Sequence, residues 1–134
     1  MAEIILKEES YKIVGACMDV DVHKNLGAGF KEVIYKDALE IEFKNLDIPF
    51  SREKKFKIKY KGLVLPHQYF ADFVVYDSII LEVKSTPFIV NAFVAQTINY
   101  LKASGFKLGI IANFGEKSFS YKRVVFKIRV IRPN

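Results

Sequence analysis

The sequence is short of the features that would take it away from an ordinary folded core. Cys17 is the single cysteine, so no disulfide can form within the chain, which fits a reducing compartment. The 4 prolines and 7 glycines are scattered. With no linker-like stretch, low-complexity tract or internal repeat, one domain over residues 1–134 is expected, long enough for one real core. The apolar runs fall far short of the ~20 residues a membrane helix needs. The opening MAEIILKEES is acidic and only briefly apolar, which is not a secretory signal. A soluble, cytoplasmic protein with no membrane partner is therefore expected. The 2 histidines, His23 and His67, are not at metal spacing and read as structural or exposed. Acidic residues are outnumbered, 15 against 21 basic ones, for a net charge of +6. That balance favours a polyanionic partner such as nucleic acid, without specifying one.

What is present reads as a mixed α/β (α+β) chain with one central mixed sheet flanked by helices. Ile13, Val14, Cys17 and Val20 recur at helical spacing, predicting a helix over Tyr11–Asn25 with Ser10 as its N-cap and Cys17 in the core. A second helix is predicted over Phe30–Leu46. Glu32 shares one face with Tyr35, Leu39, Phe43 and Leu46, while Phe30, Ile34, Ala38 and Ile41 lie opposite. A helix apolar on two sides is expected to be sandwiched. From Lys55 to Lys61, Lys55, Lys57, Lys59 and Lys61 alternate with Phe56, Ile58 and Tyr60, predicting a half-buried strand with one lysine face. Strand continues over Leu63–Leu65 and His67–Tyr76. A helix over Phe88–Ala103 ends at Gly105 as its C′ residue, with Val90, Val94, Ile98 and Leu101 as its core stripe. Buried strand follows over Lys107–Phe114, and a last strand over Arg123–Ile131.

The stretch Tyr69–Lys84, YFADFVVYDSIILEVK, stands out. It reads as two apolar strands joined by a tight turn around Asp77 and Ser78. Glu82 and Lys84 point to one face and Val83 to the other. Asp72, Glu82 and Lys84 thus head into an apolar sheet, where an uncompensated charge costs several kcal/mol. They either neutralise one another as an internal ion pair or form a site. Asp72 shares a face with Glu82 only if paired residue numbers sum to an even value, which calls for an odd-length turn or a bulge rather than a two-residue turn.

Asp72 and Glu82-Val83-Lys84 give the spacing D-x9-E-x-K. A helix bearing Glu32 precedes them, and a helix bearing Gln96 and Tyr100 follows. In this order the chain resembles the PD-(D/E)XK nuclease superfamily. Gly29-Phe30-Lys31-Glu32-Val33-Ile34-Tyr35 forms a G-x-x-E-x-x-Y string, with Leu26-Gly27 before it and Asn113-Phe114-Gly115 late in the chain. These make it similar to the bacterial GxxExxY protein family, from about Ile13 to Val125. The resemblance implies a restriction-endonuclease-like α-β-β-β-α-β core. It also implies an Mg²⁺ or Mn²⁺ site made by Asp72, Glu82 and the Val83 carbonyl, with Glu32 beside it and Lys84 positioning or activating water. Gln96 and Tyr100 match a Q-x-x-x-Y element. Relatives are expected to approach that glutamine with polar, often His-containing sequence, and here it reads Phe93-Val94-Ala95.

The chemistry is coherent, since carboxylates holding a divalent ion can activate water and stabilise charge on a phosphodiester. The implied function is a metal-dependent nuclease, on DNA ahead of RNA. The alternatives are a catalytically inactive nucleic-acid-binding or protein-interaction module, and hydrolysis of a smaller phosphate ester. The lysines at 55, 57, 59 and 61 read more readily as a solvated edge-protecting face than as a DNA track. At this length there is little room for DNA-clamping elements, which points to a homodimer or an additional protein subunit.

Overall fold

The computed structural model describes residues 5–18 and 22–127. Three helices come first: α1 (Lys7–Cys17), α2 (Val22–Leu26) and α3 (Glu32–Asn45). Strands β1 (Phe50–Phe56), β2 (Lys59–Tyr60), β3 (Leu63–Val64), β4 (Tyr69–Val75) and β5 (Ile79–Lys84) follow, then α4 (Asn91–Ser104), β6 (Leu108–Asn113) and β7 (Ser120–Val125). Five strands form one sheet in the order β1-β4-β5-β6-β7. β5 and β6 are parallel, joined by the crossover helix α4, and the other neighbours are antiparallel. This is the mixed sheet flanked by helices that the sequence implies. No described helix is long and apolar enough to cross a membrane.

The sheet separates two apolar layers. On one face, Ile13, Cys17, Tyr35, Leu39 and Phe43 pack with Phe73, Val75, Ile79, Leu81 and Val83. On the other, Leu101 and the flank of α4 pack with Val74, Ile80, Ile111 and Val124. Odd residues of β5 therefore face α1 and α3, and even ones face α4. Helix α4 comes close because Gly109 offers no side chain. A Cβ there would lie 2.5 Å from Thr97 Cγ2.

Several expectations change. The first helix starts earlier, at Lys7, and ends at Cys17, with α2 separate; positions 19–21 of the expected helix lie outside the described residues. Ser10 is not a cap: it is buried inside α1 and its hydroxyl donates to the Lys7 carbonyl at 3.1 Å. Helix α3 is not sandwiched. Tyr35, Leu39 and Phe43 are fully buried, whereas Phe30, Ile34, Ile41 and Leu46 are exposed, because the sheet covers one side only. The lysine alternation does not form one strand. β1 ends at Phe56, and Lys59–Tyr60 pair instead with Leu63–Val64 in a separate ribbon turned by Lys61 and Gly62, both at positive φ. The last strand begins earlier, at Ser120, and positions 128–131 lie outside the described residues. Gly105 ends α4 at φ 80, as expected, its amide donating to the Leu101 carbonyl.

Candidate active site

The β4–β5 hairpin has the odd-length turn that the site requires. Phe73, Val74 and Val75 oppose Leu81, Ile80 and Ile79, leaving Tyr76, Asp77 and Ser78 to turn the chain. Tyr76 and Asp77 take φ 55 and φ 52, and the Ser78 amide donates to the Val75 carbonyl, which is the type I′ geometry that suits a hairpin's twist. Ser78 is the extra residue that restores parity. The same register continued one step would bring Asp72 opposite Glu82, but the regular pairing ends at Phe73 and Leu81.

At that step the backbone ladder gives way to side chains. The Asp72 amide donates to Glu82 Oε2 at 3.2 Å, and the Val83 amide donates to Asp72 Oδ2 at 2.8 Å. Each carboxylate thus accepts from a backbone amide where the regular ladder stops. An extended residue projects its amide and carbonyl to the same side, so the Val83 carbonyl is directed toward the same gap.

β4 also changes phase here. Phe73 and Val75 belong to the α1/α3 layer, but Ala71 and Tyr69, two and four positions before Phe73, belong to the α4 layer. On β1, Arg52 pairs with Phe73 and Lys54 with Ala71, so Glu53 lies opposite Asp72, and it takes φ 55.

The electrostatics mark this spot. Glu82 is 4 % exposed. Burial first, and then the negative charge of Asp72, push its pKa up to about 9, against which Lys84 provides only partial relief. Glu82 therefore holds a proton at neutral pH when no added cation is present. Lys84 rests its ammonium 4.7 Å from the centroid of the Phe93 ring, so the apolar residue standing where a polar one was expected gives the lysine a π face. Lys36 of α3 reaches Asp72 Oδ1 at 3.3 Å and also bonds Glu53. Burial alone would lower its pKa, but the two carboxylates outweigh that and raise it.

The oxygen donors present suit a hard divalent ion: two carboxylates, one carrying a displaceable proton, and a backbone carbonyl beside them. Among the described residues no three His, Cys, Asp or Glu side chains gather closely enough to hold a metal by themselves. Glu32 does not complete such a cluster. It is exposed at the first turn of α3 and lines an open groove of 640 Å³ with Lys31, Ser85 and Thr86. Ser85 and Thr86 follow Lys84 directly, and Lys36 lies one turn along α3 from Glu32.

The other motif residues have visible work. Tyr35 is buried, stacks on Phe114 at 4.6 Å, accepts from the Phe30 amide and donates to the Gly27 carbonyl. It pins the Gly27–Gly29 loop that leads into α3. Asn113 clamps Thr86 from both sides, with its Oδ1 accepting from the Thr86 amide and its Nδ2 donating to the Thr86 carbonyl, each at 3.0 Å. Gly115 lies so close that a Cβ would fall 2.2 Å from the Thr86 nitrogen. Gln96 and Tyr100 line a groove with Tyr69 and Ile58. The Tyr100 hydroxyl's pKa is raised by burial, then by the charges of Glu82 and Asp72, with an opposing bond from Gln96. Lys57 and Lys59 line an adjoining groove that shares Ile58 and Asn99. Lys55 and Lys61 are exposed outside both. His23 is buried against Phe114 and Phe119, and His67 is exposed.

Sequence reasoning missed Lys36 and Glu53. The one available signal for Lys36 was its position four residues after Glu32; for Glu53 there was none without the β1–β4 register.

Comparison with known proteins fits this geometry. The family model of the PD-(D/E)XK nuclease superfamily matches residues 7–124. The chain belongs to that superfamily. No curated protein matches the sequence. Among solved structures, that of SSO0001 is similar with a TM-score of 0.58 at 18% identity, covering 72% of this chain and 50% of that one. At that identity the likeness speaks for the fold. The chain spans half the length of that protein.

Proposed function

We propose that residues 1–134 form a single cytoplasmic nuclease domain of the GxxExxY type, hydrolysing phosphodiester bonds with Mg²⁺ or Mn²⁺, in DNA ahead of RNA. The observation that carries this reading is the meeting of the Asp72 and Glu82 carboxyl groups across a broken ladder, so deep that burial and the neighbouring charge push the Glu82 pKa up. An apolar sheet has no structural use for two carboxyl groups brought together there; a divalent cation would supply the charge that lets both ionise.

Asp72, Glu82 and the Val83 carbonyl would hold the ion, with Glu32 bordering it through water. Bound there, a divalent ion supplies charge that makes a water nucleophilic and stabilises the phosphate's transition state. Lys84 leaves the Phe93 ring to reach the scissile phosphate and to orient the attacking water. Gln96 and Tyr100 meet the substrate beside it. Lys57 and Lys59 hold the phosphate backbone along the adjoining groove, with Lys55 and Lys61 adding charge at its margin. A second copy or another subunit would supply the rest of the grip on a duplex.

The test is cleavage of plasmid and single-stranded DNA with Mg²⁺ or Mn²⁺, comparing wild type with Lys84→Ala. Metal-dependent cutting lost in the variant supports the reading. A wild type that binds nucleic acid or a protein partner but never cuts turns it to the inactive-module alternative.

A further inference from the structure

We infer that Lys36 is the resident counter-cation of Asp72, a positioning residue that an incoming divalent ion displaces toward Glu53. This rests on the nuclease reading for the identity of Asp72 as a metal ligand, and adds to it how the site is kept ready.

Three observations meet at one point. The Lys36 ammonium contacts both Asp72 Oδ1 and Glu53. The other Asp72 oxygen is already held by the Val83 amide. The ammonium occupies Oδ1, the oxygen to which the Val83 amide does not bond. Glu53 is the one described residue inside a strand of the five-stranded sheet with φ in the left-handed region, a conformation a non-glycine residue adopts only when its surroundings impose it. It does so directly opposite Asp72 in the β1–β4 register, and its carboxylate ends on the same ammonium. The side chains of Lys36 and Asp72 are 14% and 18% exposed, whereas Glu53 is 48% exposed. The lysine therefore has a buried partner and a more solvated one, and a flexible stem that lets it favour either.

The arrangement does two things. Without metal, the ammonium offsets the Asp72 charge and keeps its carboxylate aimed into the gap. With metal, two cations compete for one oxygen, and Glu53 gives the displaced ammonium somewhere to go. Metal affinity is then set partly by residues that never touch the metal.

Calorimetric titration with Mn²⁺, without nucleic acid, tests this. Lys36→Met should bind Mn²⁺ several-fold more tightly, because the competitor is gone. Glu53→Gln should bind more weakly, because the ammonium loses its alternative partner and stays on Asp72. The double variant should match Lys36→Met, since Glu53 acts through the lysine. Lys36→Arg, which keeps the charge in a stiffer fork, should bind no more tightly than wild type and serves if the methionine variant does not fold. Equal or weaker binding by Lys36→Met, or tighter binding by Lys36→Arg, overturns the inference. So does a double variant weakened relative to Lys36→Met, which would make Glu53 a direct ligand. Asp72→Asn separates the two failures. If it removes Mn²⁺ binding while Lys36→Met changes nothing, only the counter-cation role falls; if it leaves Mn²⁺ binding intact, the metal site at Asp72 falls and this inference with it.

Discussion

Two buried polar clusters flank the end of β5, and they differ in how far their demands are met. Around Asn113, which is fully buried, every side-chain position is matched. Its Oδ1 accepts from the Thr86 and Gly115 amides, and its Nδ2 donates to the Thr86 carbonyl and to Glu116, which uses the full capacity of the amide. Around Glu82, nearly as buried, the opposite holds. One backbone amide reaches it, a like charge lies beside it, and the group keeps a proton far above the ordinary carboxylate range. The first cluster is complete as it stands and has the character of structure. The second has its charge met only in part, by Lys36 at Asp72, and has the character of a site. They are coupled, because the satisfied cluster fixes Thr86, two residues past Lys84, and the Phe114 amide donates to the Lys84 carbonyl. The complete network holds the end of the incomplete one in place.

The contrast is broken most sharply at Lys84. If the incomplete cluster is an active site, Lys84→Ala should lower the cleavage rate at saturating DNA by about 10²–10³-fold, the size of losing one aimed electrostatic group. Its DNA affinity should change little and its melting temperature hardly at all, since Lys84 rests on Phe93 rather than in a salt bridge. A stability loss with unchanged turnover would make Lys84 a packing residue.

Asn113→Ala should do the reverse. It strands the Thr86 and Gly115 amides in a buried place, costing roughly 2–4 kcal/mol of stability by denaturant unfolding. The loss should be the same with and without Mn²⁺. A loss that added metal abolishes would mean that Asn113 serves the site directly.

This contrast also separates what could be read along the chain from what could not. The odd turn at Tyr76–Ser78 was legible because strand parity is arithmetic. The end of α4 at Gly105 and the buried run of β6 were legible for the same local reasons. Helix α3 shows the limit. Periodicity finds two apolar sides but not which one a sheet covers, so the exposure of Phe30, Ile34 and Ile41 was out of reach. The lysine alternation misled because β1 and the ribbon share a phase across Lys57 while pairing with different strands. Lys36 and Glu53 join Asp72 from a helix and an edge strand, and no local pattern encodes that meeting. Exposed Glu32 was expected deeper in the site, and its role remains with the proposal.

A smaller effect tests the proton on Glu82. Its folded pKa of about 9 lies above the ordinary value of 4.5. Its contribution to stability is therefore fully present below about pH 4.5 and is lost as pH rises toward 9. Metal-free wild type should weaken over that window by on the order of a few kcal/mol at most. Glu82→Gln should flatten the slope and melt higher than wild type at pH 8 without metal, yet lose the Mn²⁺-induced rise in melting temperature. A Mn²⁺ rise equal to that of wild type would place the ion elsewhere.

The least of the effects concerns groups at the other extreme, charges left in water. Lys57 and Lys59 are exposed and border the groove beside α4, so neither the satisfied nor the incomplete pattern applies to them. Removing them should leave the fold and the chemistry alone. As phosphate contacts, each would contribute about 0.7–0.9 to the slope of log affinity against log salt, the lower figure for single strands. Replacing both with glutamine should flatten that slope by about 1.4–1.8 and weaken DNA binding at low salt, while saturating DNA restores the wild-type cleavage rate. Lys55 and Lys61, which lie outside both grooves, provide the control, and the same double replacement there should change the slope less. Equal slopes from the two pairs would reduce all four lysines to a general basic surface, and the groove between the ribbon and α4 would lose its claim as the path of the strand.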